Sequence, residues 1–594
     1  MSATLVPFSS VAECKRSKVD LPVTIEGTRP VIGAKFNGQE VRLLVDSGAS
    51  FSMISSAAAE QFKLRTSMAP FGLVMRGIGG STVPSLATVK LFTIANADVS
   101  NVEFLVSGNE VGAGSGSVGL IGQNFLERWD VEYDLAKGMI RLMKDEDCRK
   151  AWLAYWLTPG QSYTVINIQK TTPRAPLTIG SAYVNGVKIR VTFDTGASLS
   201  LLSLRAAERA GIKIDMPGVA DGGISRGVGR NMVKTYIAPF DTFKFEDGEE
   251  IRHTHLRIAD INLDTSDMLL GADFFLSHRV LVANSQNKLY FTYNGGPVFN
   301  LKTVSQPAPD ATSANTAADT AETKQADSDG KKAAEEQIDA AALVRRGTAS
   351  AGRRDFDHAL ADLTRASELE PNNAEYLYLR GEVYVQKGDA EKALTDFNRV
   401  LDLTPDHVPA LMRRAELRIR ARNLVDARAD LDAVDRFAAK QADIRYELAF
   451  AYGRVNLQPS ALTQFDLWIP AHDEDARLVN ARNGRCRARA MMGQDLALAL
   501  KDCNFAVGHS LKGSNSEFLD TRALVRLRLG DYDKSIDDYD AALKVNPQNA
   551  GALYGRGIAK IKKKKIAEGE VDIANAEKIA PKIAERFKAL GIAP

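Results

Sequence analysis

Val45-Asp46-Ser47-Gly48-Ala49-Ser50 and Phe193-Asp194-Thr195-Gly196-Ala197-Ser198 are the two stretches on which the fold of this 594-residue chain turns. Each ends an alternating apolar run that opens on an Asn-Gly pair, Asn37-Gly38 or Asn185-Gly186, nine residues before its aspartate in both cases. Asn-Gly ahead of an alternating run marks a β-hairpin. A carboxylate at the end of a buried strand is costly to desolvate. Building that arrangement twice implies that the two carboxylates meet.

The duplication extends beyond the aspartates. Arg76-Gly77-Ile78-Gly79-Gly80 follows Asp46, and Arg226-Gly227-Val228-Gly229-Arg230 follows Asp194. Further on, Leu120-Ile121-Gly122 is answered by Leu269-Leu270-Gly271, with Gly122 and Gly271 lying 76 and 77 residues after their aspartates. Residues 21–145 and 162–297 therefore read as two copies of one domain, with an N-terminal segment over 1–20 and an interlobe connector over 146–161. Each copy resembles a retropepsin-like aspartic protease lobe, so the resemblance implies two all-β lobes in one chain, each donating one catalytic Asp.

That chemistry requires these residue types. Hydrolysis without a metal or a covalent nucleophile needs one group to deprotonate water while another protonates the carbonyl oxygen. Two carboxyls about 3 Å apart share a proton and supply both roles. The resemblance makes Asp46 and Asp194 the catalytic pair of an aspartic endopeptidase acting on a polypeptide substrate, with no cofactor and no metal. It further implies that Ser47 and Thr195 brace the two loops against each other, and that Gly48 and Gly196 let the backbone turn tightly. Ile121-Gly122 and Leu270-Gly271 pack behind the catalytic loops. Gly77, Ile78, Gly79, Gly227, Val228 and Gly229 form flaps over the substrate. Ala49 and Ala197 stand where pepsin-like enzymes carry a hydroxyl; a hydroxyl there lowers the pair's pKa, so the optimum is expected to be mildly acidic to near neutral. Two alternatives stay open: a non-catalytic peptide-binding adaptor, and a protease active only as an intermolecular dimer.

From Thr303 to Gln337 the chain carries almost no large apolar residue, so 298–337 reads as a disordered linker. Beyond it apolar spacing turns helical and a period of 34 appears, in Pro371 and Pro405, Pro547 and Pro581, and the series Gly347, Gly381, Ala415, Ala449. Gly381, Tyr384, Ala393, Phe397 and Pro405 match the pattern of a tetratricopeptide (TPR) repeat. Residues 338–594 therefore resemble an all-α TPR solenoid of about seven repeats, the fifth stretched by insertions, with a C-terminal capping helix. Such a stack presents a groove for a protein or peptide partner. Lys562 to Lys565 fall at the turn of the last repeat, and Trp152 and Trp156 suit a short amphipathic helix between the lobes.

Net charge is only +2, which gives no reason to expect a nucleic-acid partner. No run reaches the length of a membrane span. His253 and His255 lack a third nearby ligand type, which argues against a metal site. The four cysteines allow two pairings, Cys14 with Cys148 and Cys486 with Cys503, or four free thiols. Paired, they favour an exported, periplasmic location over the cytoplasm, although Met1 to Asp20 shows no signal-peptide core.

Overall fold

Alternating apolar residues in the first half and helically spaced ones in the second divide the structure, which is a computed structural model, into strands up to Tyr293 and helices from Ala340 onward. It describes residues 15–70, 73–77, 80–107, 116–146, 148, 151–158, 160–169, 176–225, 227, 232–246, 248–299, 339–473, 475–510 and 515–594.

Both Asn-Gly pairs form the expected turns, with φ of 50° and 85° at Asn37 and Gly38 and 46° and 78° at Asn185 and Gly186. Two successive residues at positive φ match the right-handed twist of the flanking strands. The first hairpin, Arg29–Phe36 with Gln39–Val45, sits in an eight-stranded sheet that closes on itself where Arg29–Phe36 also pairs with Ser85–Ile94. The second, Ile179–Val184 with Val187–Phe193, sits in a seven-stranded sheet closed by Ile179–Val184 against Val233–Phe245. In each barrel the aspartate strand runs parallel to a later short strand, Gly119–Ile121 or Met268–Leu270.

A third sheet joins the barrels. Its order is Lys15–Pro22, Met139–Glu146, Asp130–Asp134, His278–Ala283, Lys288–Tyr293, Thr164–Asn167, three strands from each lobe. The seam pairs Val131, Glu132 and Tyr133 with Val282, Leu281 and Val280. The lobes are thus partners within one chain. Fully buried Glu132 accepts from Arg141 at 2.5 Å, from Tyr155 at 2.6 Å, and from Arg279 of the second lobe at 2.8 Å. Three donors compensate the cost of burying that charge.

The connector departs from expectation. Residues around Trp152 and Trp156 form turns rather than a helix. Eight residues ending before Pro159 give too short a stretch to nucleate a helix alone. Aromatic contacts win instead: Trp152 packs on Tyr163 and Tyr290, and Arg279 stacks over Trp156, 4.6 Å from its centre.

Among the described residues, fourteen helices from Ala340–Gly352 to Ile566–Ile579 stack as seven antiparallel pairs, and Ile583–Ala589 caps the stack. Asp355, Asn373, Asp389, Asn423 and Asn549 start helices by accepting a first-turn N–H. Gly381 lies where a Cβ would strike the Phe397 ring, so its smallness sets the spacing within that pair. Six of the seven pairs are also locked by one arginine laid bidentate on one aspartate: Arg346–Asp362, Arg380–Asp396, Arg414–Asp430, Arg485–Asp502, Arg522–Asp538 and Arg556–Asp572, at 2.5–3.0 Å. Among the described residues no helix is long and apolar enough to cross a membrane, and no His, Cys, Asp and Glu cluster could hold a metal.

A disulfide joins Cys486 to Cys503 across the fifth pair. Cys148 is disulfide-bonded as well, and Cys14, its expected partner, lies outside the described residues. Closing a loop of 17 residues restricts the unfolded chain, so replacing both Cys486 and Cys503 by Ala is expected to cost about 3 kcal/mol. Denaturant unfolding of the helical half, with and without reductant, measures this.

Val298 and Phe299, within the linker expected over 298–337, pack on the lobe core. Residues 300–338 lie outside the described ones. Helix Ala340–Gly352 then lies directly against the lobes, touching Thr24–Glu26, Leu135–Lys137 and Ala272–Ser277.

Candidate active site

Asp46 follows strand Gln39–Val45 and Asp194 follows Val187–Phe193, and each N–H is held by the neighbouring parallel strand. Asp46 N donates to Ile121 O at 2.9 Å, and Asp194 N to Leu270 O at 2.8 Å. The chain then folds back over each carboxylate. Gly48 N and Ala49 N both donate to Asp46 Oδ1 at 2.9 Å; Gly196 N and Ala197 N donate to Asp194 Oδ1 at 2.9 and 3.0 Å. Gly122 and Gly271 lie behind the loops, where a Cβ would run into the backbone of Phe51 or Leu199.

The two loops cross at the lobe boundary. Ser47 Oγ donates to Phe193 O at 2.8 Å and accepts from Thr195 N at 3.0 Å. Thr195 Oγ1 donates to Val45 O at 2.7 Å and accepts from Ser47 N at 3.0 Å. Both hydroxyls are fully buried, and each makes two hydrogen bonds to the opposite lobe. This crossing sets the Asp46 and Asp194 carboxyls close to each other. A Cβ on Gly48 would overlap the Asp194 carboxylate, and one on Gly196 would overlap that of Asp46. Only glycine leaves room for the opposite acid.

Burial raises both carboxyls above their ordinary range, and the charge of Asp194 pushes Asp46 higher still; the N–H donors of the loops pull the other way. The pair therefore holds one proton at a pH where isolated carboxyls have lost theirs. Arg29, half-buried, sits in the field of both aspartates. Tyr133, on the seam beneath the loops, has its hydroxyl hydrogen-bonded to Ser47 and pushed up by burial.

Sequence reasoning missed Arg29, Tyr133 and Gln123. Gln123 Nε2 donates to Ser47 O at 2.8 Å and reaches across the boundary to Thr178 Oγ1 at 3.2 Å. Its neighbour Gly122 was legible as a motif glycine, but the matching position in the second lobe holds Ala272, so comparison of the two copies hid the glutamine.

The packing beside the two loops differs. Beside the first loop, Leu44, Met53, Leu105 and Leu120 pack with Met75 of the flap strand, and with Ala49 and Phe51. In the second lobe, Thr192 stands where Leu44 does and bonds Ser266 at 2.9 Å. Buried Arg257 there donates to Gly222 O and to Thr235 Oγ1. Where the first flap is expected, Met75–Gly77 pairs with Gly80–Thr82 as a hairpin; Ile78 and Gly79 lie outside the described residues. Of the residues expected in the second flap, between the paired strands Ala220–Ser225 and Val233–Phe245, Gly227 is described while Val228 and Gly229 lie outside the described residues.

Comparison with known families agrees with the duplication. Residues 32–125 and 180–274 each match the aspartyl protease family model. Residues 344–408 and 383–443 match a tetratricopeptide repeat model, and 523–563 match a second TPR model. A tetratricopeptide repeat protein from Parabacteroides merdae ATCC 43184 is 18% identical over 42% of this chain and 98% of its own, with a TM-score of 0.31. Yeast Tom70 is 18% identical over 42% of this chain and 52% of its own, with a TM-score of 0.25. No curated protein matches the chain.

Proposed function

We propose that this chain, in which two aspartyl protease segments precede tetratricopeptide repeats, is a single-chain aspartic endopeptidase that hydrolyses peptide bonds with a water held between Asp46 and Asp194. One observation carries the reading: each loop's glycine lies against the other loop's carboxylate, so two acids that share a proton face one point. The basic carboxyl takes a proton from water as the protonated one gives its proton to the carbonyl oxygen. No bond to the protein forms. The adaptor reading accounts less well for two intact acids buried at such cost. An array of TPR repeats supports binding of a protein or peptide partner.

Incubation with an unstructured polypeptide between about pH 3 and pH 8, in water enriched in oxygen-18, tests this. Expected products carry one heavy oxygen in each new terminal carboxyl, because water is the nucleophile. Failure to cut any peptide across that range would end the proposal. The alanines at 49 and 197 give the loops no hydroxyl to stabilise the doubly ionised pair, so activity is expected to peak in weak acid to near neutrality. A maximum below about pH 3 would match the pepsin dyad instead and contradict it.

A further inference from the structure

Helix Ala340–Gly352 opens the TPR array, yet it is buried on two opposite faces. Ala340, Leu343, Val344 and Ala351 pack with Leu363, Ala366 and Val383 of the array, while Ala349 belongs to the core of the lobes. From Gly347 to Gly352 no side chain is larger than threonine. That smallness allows backbone approach. Thr348 Oγ1 accepts from Ile25 N at 3.3 Å. A Cβ on Gly352 would meet Gly27 O and Ile25 of the first lobe and Leu276 of the second at once.

The segment so touched leads straight to the site. Thr28, next to Gly27, donates its hydroxyl to Ser198 O at 2.8 Å, at the end of the second aspartate loop. Arg29, one residue further, is the half-buried cation in the field of both aspartates. Three consecutive residues thus connect the helix, the far lobe and the acids.

We propose that the first TPR helix is a built-in clamp of the active site: docked across both lobes, it holds the Gly27–Arg29 turn and with it the two aspartate loops in register, so Thr348 and Gly352 are positioning residues for peptide hydrolysis. The proposal rests on the dyad reading for its catalytic half. On this view the first repeat serves the protease, and the partner groove begins at the second.

The test uses the full chain with a site for a specific protease placed in the segment 310–325. After nicking, the two pieces are expected to co-sediment at micromolar concentration and to keep cleaving peptide. Gly352→Val is expected to separate them and, in the intact chain, to lower kcat at least tenfold with KM within about twofold. Gly453→Val, at a helical glycine with open space around it, leaves kcat unchanged. Should Gly352→Val fail to fold, Thr348→Val still removes the acceptor for Ile25 N; it is expected to lower kcat severalfold, and Thr348→Ser to restore it. Nicked wild-type pieces that separate while the strand half keeps full activity would overturn the clamp alone. The same holds if Gly352→Val and Thr348→Val both leave kcat and association untouched. Absence of cleavage by the intact wild type would instead overturn the dyad reading, and the clamp's catalytic role with it, whatever the sedimentation shows.

Discussion

Asp46→Asn and Asp194→Asn are each expected to lower kcat for peptide cleavage by at least about a thousandfold, because either change removes the proton exchange on which both general acid and general base depend. The fold should survive. An asparagine oxygen can still accept the two loop N–H groups that now reach each Oδ1. The measurement is kcat beside sedimentation and thermal unfolding, and retained cleavage in either variant would show that the pair is not the catalyst. Stability should also respond to pH with a definite sign. The folded pair keeps a proton that unfolded carboxyls release, so its contribution is fully present below the ordinary carboxylate range and is lost as pH rises through the raised value. The difference in melting temperature between wild type and Asp46→Asn should therefore move in favour of the variant as pH rises from weak acid toward neutrality.

Gly48→Ala and Gly196→Ala are expected to lower kcat by more than about a hundredfold and to cost about 1–3 kcal/mol of stability. A methyl at either position overlaps the opposing carboxylate. The loops cannot slide apart to relieve it, since Ser47 and Thr195 tie each to the other lobe through buried hydrogen bonds. Cleavage kinetics and thermal unfolding of the purified variants check both effects. Wild-type rates in Gly48→Ala would mean that the two acids do not approach as closely as described.

Much of this was legible because geometry repeats along the chain. The Asn-Gly turns, the aspartate loops and the glycines at 122 and 271 recur at one spacing, and a recurring spacing reflects a recurring backbone path. The helical half announced itself the same way, through a period of 34. What stayed hidden were contacts between residues far apart in sequence with no repeated partner. Thr28 meets Ser198 across 170 residues, and Gln123 meets Ser47 across 76. Gly347 read as the small residue of a repeat, which accounts for only one face of its helix; the use of the other face depends on where the lobes lie. The Arg–Asp locks, sixteen or seventeen residues apart, were written in the chain but gain meaning only once two helices face each other.

The unlike halves of the cleft have a consequence for direction. Two identical halves would present the same surroundings to a peptide lying either way. Here Gln123 takes the place that Ala272 holds in the second copy, and Leu44 the place of Thr192, so the packing behind the two aspartate loops is not mirrored. Joining the copies in one polypeptide leaves each half free to differ from the other, so the two ends of the cleft need not be equivalent toward a bound chain.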